Sequence, residues 1–224
     1  VLAGRREETL RQAASDIGPQ AGYLQHDVTE LSAASALVGQ CTERFGPITI
    51  LVNNAGVHLK KSAVETTEEE FLKVLTTHVL GAHALSRAVA PGMIERGTGS
   101  ILFIASMASL FGIPLVVAYS AAKSAYVGMV RAMATELSPH GVRVNAINPG
   151  HIATARLEGR IATAMQKSNA GRDDVMRQML AGYGINRFGR PDEIGRLVAY
   201  LCSTQAEFIH GTVIDIDGGQ TLAL

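Results

Sequence analysis

Residues 48–56 read Ile-Thr-Ile-Leu-Val-Asn-Asn-Ala-Gly, a β-branched apolar run that stops abruptly at Asn53, Asn54, Ala55 and Gly56. A short apolar run without alternating polar residues is the pattern of a strand buried on both faces, and an Asn/Gly cluster behind it is a turn. The same grammar recurs: ILFIA at 101–105 is followed by Ser106, and the run at 142–147 leads through Asn148 to Pro149 and Gly150. Residues 21–28 and 212–216 read as further strands. Between the strands lie helical stretches at 31–45, 68–90, 119–137 and 192–202. The second opens on Glu68, Glu69 and Glu70, which suit the positive end of a helix, and the last has Pro191 at its start. Repeated strand–helix–strand order predicts an α/β fold in one domain, 1–224, with a doubly wound parallel sheet and helices on both faces.

Composition narrows the function classes. The 224 residues are 47% hydrophobic and 18% charged, as in ordinary globular proteins. Lys plus Arg and Asp plus Glu number 20 each, so no long-range field draws in nucleic acid or an anionic membrane. Cys41 and Cys202 lack paired spacing and fall in predicted helices, which suits a reducing, cytoplasmic location and argues against a metal or thiol site. Residues 101–119 carry no charge over about the length of a bilayer span. Ser106, Ser109, Gly112 and Pro114 interrupt that stretch, which reads better as strand, loop and helix start.

Tyr119-Ser-Ala-Ala-Lys123 places an ammonium one helical turn after a phenol, on the same face. A free phenol, with a pKa of about 10, is a poor acid or base near neutrality, and a neighbouring cation should lower that value. A tuned phenol can give a proton to a carbonyl oxygen as hydride reaches carbon, or remove it in reverse. Alone, the pair reads better as an exposed helix contact. Its context favours chemistry, because Ser106, Asn53–Gly56 and Pro149–Gly150 all sit at carboxyl ends of predicted strands, where open α/β sheets bind ligands.

These motifs together resemble the short-chain dehydrogenase/reductases, in the subgroup that includes 3-oxoacyl-(acyl carrier protein) reductases. The similarity runs from Leu2 to about Thr221 through HDVTE with Asp27, LVNNAG, Ser106 thirteen positions before Tyr119, YSAAK, VRVNAINPG, RFGRPDEI and IHGTVIDIDGG. It implies a Rossmann-like fold and an NAD(P)-dependent enzyme that interconverts a small carbonyl compound and a secondary alcohol. Tyr119 would be the acid/base, Lys123 would tune it and hold the nicotinamide ribose, and Ser106 would orient the carbonyl. Asp27, with Val28 beside it, would meet the adenine; a helix-cap role for Asp27 before Leu31 is the plainer reading, and the two can coexist. Asn53 would meet the ribose side, with Ala55 and Gly56 in the same cofactor loop. Pro149, Gly150, Ile152 and Thr154 would line the nicotinamide end. Residues 155–186 would form a lid over the substrate, or simply a surface helix pair, and Met165, Met176 and Met179 there suit either an apolar wall or core packing. A homotetramer is implied, with Leu75, Val79, Ala82, Met129 and Met133 on the candidate interface helices and a second contact through the tail after Gly211.

Cofactor choice can be read from the second strand of a dinucleotide fold, where an acid binds the ribose 2′-hydroxyl and an arginine accepts a 2′-phosphate. Here that strand ends Ala3-Gly4-Arg5-Arg6, which predicts NADP over NAD, with Arg5 as the phosphate partner or, on the bland reading, a solvated side chain at a helix start. Two departures from the family pattern stand out. The catalytic Asn of its long helix is His78 here, in His78-Val-Leu-Gly81; imidazole could support the same water relay or be a core histidine in a damaged one. A catalytically impaired binding or regulatory subunit is therefore the alternative function. The family's first strand, T-G-x-x-x-G-x-G turn and helix would fall before Val1. Without them, a gap within the sheet, poor NADP(H) binding, inactivity and aggregation through open strand edges are expected of a chain that starts at Val1.

Overall fold

Six short strands alternate with eight α-helices in the computed structural model, which describes residues 1–221. In chain order these are β1 (Leu2–Gly4), α1 (Glu7–Ile17), β2 (Tyr23–Gln25), α2 (Ala34–Phe45), β3 (Ile50–Asn53), α3 (Glu68–Leu75), α4 (Gly81–Arg96), β4 (Gly99–Ile104), α5 (Val117–Leu137), β5 (Val142–Pro149), α6 (Ala155–Ser168), α7 (Arg172–Tyr183), α8 (Pro191–Cys202) and β6 (Val213–Ile216). Every strand pair is parallel: β3-β4-β5-β6 form one sheet and β1-β2 a second. The α/β, Rossmann-like expectation holds.

The strands at the centre carry the core. On one face of β4 and β5, Ile101, Phe103, Val142, Val144 and Ala146 pack with Met93 of α4 and Tyr126 and Val130 of α5. On the other, Leu102 and Ile147 pack with Leu201 of α8. Each buried Val, Leu, Ile, Phe or Met here contributes roughly 1.5–3 kcal/mol, which explains why an uninterrupted apolar run forms a strand covered on both sides. α3 starts where the glutamates suggested. Thr67 accepts from the Glu70 N–H while the Glu70 carboxylate accepts from the Thr67 N–H, a reciprocal cap.

Three local expectations change. The strand expected at 48–52 runs instead over Ile50–Asn53, and its Ile50 and Val52 are 45% and 37% exposed. They are not buried on both faces because β3 and β1, each paired along one edge only, line a cavity of about 760 Å³ between the two sheets. Leu37, Val38 and Val89 complete its apolar wall. The long helix at 68–90 is broken by a π-helical turn, Thr76–Leu80, and continues through Pro91 to Arg96. The uncharged stretch at 101–119 divides into β4, a loop and the start of α5, and among the described residues no helix is long and apolar enough to cross a membrane.

Residues 155–186 are largely α6 and α7, which share a small core of Leu157, Ile161 and Val175. Met165, Met176 and Met179 pack against it, and thus serve the helix pair's own interior. The side chains expected at a subunit interface also turn inward: Ala82 is buried, and Leu75, Val79, Met129 and Met133 pack on the chain's own core.

Candidate active site

The site lies at the carboxyl ends of the parallel strands. Ser106 follows β4, and its backbone N–H donates to the Asn148 carboxamide oxygen (3.1 Å). Asn148 is wholly buried near the end of β5, and its amide donates in turn to Asp215 of β6 (2.8 Å). Three adjacent strands thus fix Ser106. Its Oγ accepts from the Ala108 N–H (3.2 Å), which leaves the hydroxyl proton available to donate.

α5 presents Tyr119, Lys123 and Tyr126 on one face, as spacings of four and three dictate. Lys123 is only 4% exposed. Its ammonium donates to the Ile104 carbonyl (2.5 Å) and lies 4.7 Å from the Tyr126 ring centroid and 5.6 Å from that of Tyr119. Both rings offer their negative faces to the cation. Burial still pulls the Lys123 pKa down to about 7. Tyr119 departs from the simple expectation, because its pKa is raised, chiefly by burial, while Ser106 and then Arg156 pull the other way. Lys123 spends its charge on the Ile104 carbonyl and the ring faces instead of the phenol oxygen.

His78 occupies the π-helical turn. Its Nε2 lies 2.7 Å from the Val57 carbonyl oxygen and 3.1 Å from the Val57 nitrogen, so the ring clamps the end of the Asn53–Gly56 loop. Its Nδ1 is buried without a partner, which favours the tautomer that donates from Nε2 and leaves only an acceptor unmatched. Burial, then the Lys123 cation, hold its pKa at about 4, so the ring is neutral. The His78 backbone carbonyl accepts from the Tyr126 hydroxyl (2.9 Å), and the ring meets Tyr119 edge-on at 5.5 Å. His78 is thus packed as a core residue beside Tyr119, with Nε2 engaged by the Val57 backbone.

The second expected group also converges. Arg5, Asp27, Val28, Asn53, Ala55 and Gly56 line the cavity between the sheets. Asp27 does not cap a helix; it accepts from the Thr29 N–H (2.9 Å) and hydroxyl (2.8 Å), and Arg5 stands 4.0 Å away. Asn53 is buried, with its amide donating to Ser86 (3.1 Å) and its carboxamide oxygen without a partner. A buried acceptor that awaits a donor suits the hydroxyl-rich ribose of a nucleotide. Two glycines keep this region open. A Cβ on Gly56 would lie 2.3 Å from the His78 ring, and one on Gly81 would lie 2.6 Å from the Val28 carbonyl oxygen. Pro149, Gly150, Ile152 and Thr154 lie apart from this cavity, on the stretch leaving β5, where Ile152 bridges to Gly189.

Two residues of the site were not singled out from sequence. Asn148 had a signal, a polar residue inside an otherwise apolar strand end. His58 had none; its ring packs 5.0 Å from that of Tyr119. Desolvation, then the cations Arg156, Lys60 and Arg160, hold its pKa at about 4.

Known proteins are similar to this chain in sequence and fold. The family described as enoyl-(acyl carrier protein) reductase matches residues 1–221. An inactive 2-(S)-hydroxypropyl-CoM dehydrogenase 2 of Xanthobacter autotrophicus is 38% identical over 98% of this chain and 94% of its own length. The 2-(S)-hydroxypropyl-CoM dehydrogenase 3 of the same organism is 37% identical over 87% and 74%. Among solved structures, L-sorbose reductase from Gluconobacter frateurii, complexed with NADPH and L-sorbose, is 28% identical and superposes with a TM-score of 0.92 over 100% of this chain and 87% of the other.

Proposed function

The chain belongs to the short-chain dehydrogenase/reductase family and is an NAD(P)-dependent oxidoreductase that interconverts a carbonyl and a secondary alcohol; on that premise we propose that Tyr119 is its acid/base, assisted by Lys123, Ser106 and His78. The observation that carries the assignment is the grouping of Tyr119 with Ser106, which hydrogen-bonds it, and with the buried Lys123, whose ammonium lies 5.6 Å from the Tyr119 ring centroid. The bound cofactor supplies or accepts the hydride. Ser106 donates to the substrate oxygen and orients it. Tyr119, kept protonated by burial, hands its proton to that oxygen in reduction and takes it back in oxidation. The Lys123 ammonium, 5.6 Å from the Tyr119 ring centroid, acts on the phenolate through space and not by a contact with its oxygen. His78 holds the Val57 backbone and thereby shapes the loop of Asn53, Ala55 and Gly56.

Asn53, Ala55, Gly56, Asp27 and Val28 would hold the adenosine portion, with Arg5 on a 2′-phosphate, which favours NADP. Pro149, Gly150, Ile152, Thr154 and Lys123 would hold the nicotinamide end, and α6 with α7 would close over the substrate. The working form is a homotetramer in a reducing cytoplasm. Leu72 and Leu80, 60% and 46% exposed beside the π-helical turn, replace the inward-facing residues as interface candidates; light scattering at micromolar concentration tests this, and a monomer refutes it.

One observation favours the alternative, a silent binding subunit: a histidine with an unmatched Nδ1 stands where the family places its Asn. Tyr119→Phe separates the readings. In an enzyme it should preserve quenching by NADPH and lose at least about 10²-fold in turnover. Equal turnover by the variant and the wild type removes the assignment.

A further inference from the structure

We propose that the substrate carries an anionic group, a carboxylate, phosphate or sulfonate, received by Arg156 and Arg160 of α6 together with Lys60 on the facing loop. The inference rests on the reductase reading above and adds the substrate class. Arg156 and Arg160 stand four residues apart and share one face of the helix. That face is anchored over the sheet rim. Arg160 donates to the Tyr183 hydroxyl (2.5 Å), and the Tyr183 ring stacks on His151 with centroids 3.8 Å apart and planes at 18°. His151 directly follows Gly150 at the end of β5 and is itself held by Gln220 (2.7 Å). On the opposite wall, His58 packs on Tyr119, and Lys60 lies two residues further along.

The three cations converge electrostatically as well: all three oppose protonation of His58, and Arg156 also favours the Tyr119 phenolate. Positive charge from two separate elements is thus gathered around His58, which packs on the reacting phenol, in a chain whose formal net charge is zero. Nearby cations behave differently. Arg172 pairs with Glu158, Arg187 with Glu193, Arg190 with Asp192, and Lys61 with Glu70. Among the described residues, Arg156, Arg160 and Lys60 have no carboxylate within ion-pair distance. Two guanidinium forks one turn apart match the oxygens of a planar or tetrahedral anion. A substrate with its carbonyl at Ser106 and Tyr119 and its anionic end under α6 would satisfy all of these groups.

The test uses linear oxo-carboxylates of increasing chain length and the methyl ester of each, equal in carbonyl chemistry and different in charge. Binding is measured by ligand-observed NMR and turnover by NADPH consumption. At least one acid should bind at least about tenfold tighter than its ester, a preference that shrinks as salt is raised. The acid-to-ester ratio should fall to near unity in Arg156→Ala/Arg160→Ala and fall in part in Lys60→Ala, which probes the other wall independently. Equal binding of acid and ester across the series, or a preference that survives the double substitution, overturns the proposal. Reduction of the esters without any preference for the acids sinks the anion site and leaves the reductase standing. Tight acid binding with no reduction of either does the reverse.

Discussion

Replacing Lys123 with methionine should stabilise the protein at and below neutral pH while disabling it. The wild-type ammonium is buried, and its pKa falls from 10.5 to about 7. A shift of that size, at about 1.36 kcal/mol per unit, amounts to roughly 5 kcal/mol of destabilisation when the group is charged. Methionine matches the length of the side chain without the charge. It forfeits the hydrogen bond to the Ile104 carbonyl and the contacts with the Tyr119 and Tyr126 rings, together about 3 kcal/mol. The net gain is then about 2 kcal/mol, or about 5 °C in Tm for a chain of this length. The pH dependence gives the sign. Between the folded value of about 7 and the unfolded value of 10.5, the folded state holds fewer protons on Lys123 than the unfolded chain. Wild-type stability therefore rises with pH through that window, and the advantage of methionine is full below it and shrinks within it. Calorimetry of both proteins at about pH 6 and about pH 9.5 measures this directly. A variant that melts below the wild type at the lower pH, or whose advantage does not shrink at the higher one, refutes the reasoning.

Other outcomes follow from single contacts. Arg5→Ala should lower kcat/KM for NADPH by about tenfold and leave NADH nearly unchanged, the loss of one exposed charge-assisted contact; a wild-type preference for NADH would falsify the phosphate role. Gly56→Ala forces a Cβ into the His78 ring, so turnover and cofactor affinity should both fall. Adding His78→Asn to that substitution should restore part of the loss, and a double variant no better than Gly56→Ala alone places the fault elsewhere.

Much of the site was legible because its members announce themselves locally. Tyr119 and Lys123 share a helix face by spacing alone, and Ser106, Asn53 and Gly56 follow short apolar runs that read as strands. What was misread depended on neighbours distant in the chain. Ile50 and Val52 have the composition of a doubly buried strand, but β3 fronts a cavity. Thr76–Leu80 differs from ordinary helix only in which carbonyl each N–H reaches, which side-chain pattern does not encode. The fall expected in the Tyr119 pKa assumed that Lys123 would face the phenol oxygen, whereas the fold directs its ammonium to Ile104 and lets burial dominate. His58 became visible only when its loop was placed against α5.

The central claim is that this chain directs hydride to a carbonyl carbon with Tyr119 as the proton donor. The most direct measurement is a single turnover with NADPH that carries deuterium at the transferring position, a panel of ketones, and mass spectrometry of the alcohol formed. The account predicts one deuterium at the carbinol carbon with the wild-type protein, and formation of the same labelled product slowed by at least about 10²-fold in Tyr119→Phe. An alcohol without deuterium, or labelled product formed equally fast by the phenylalanine variant, contradicts it.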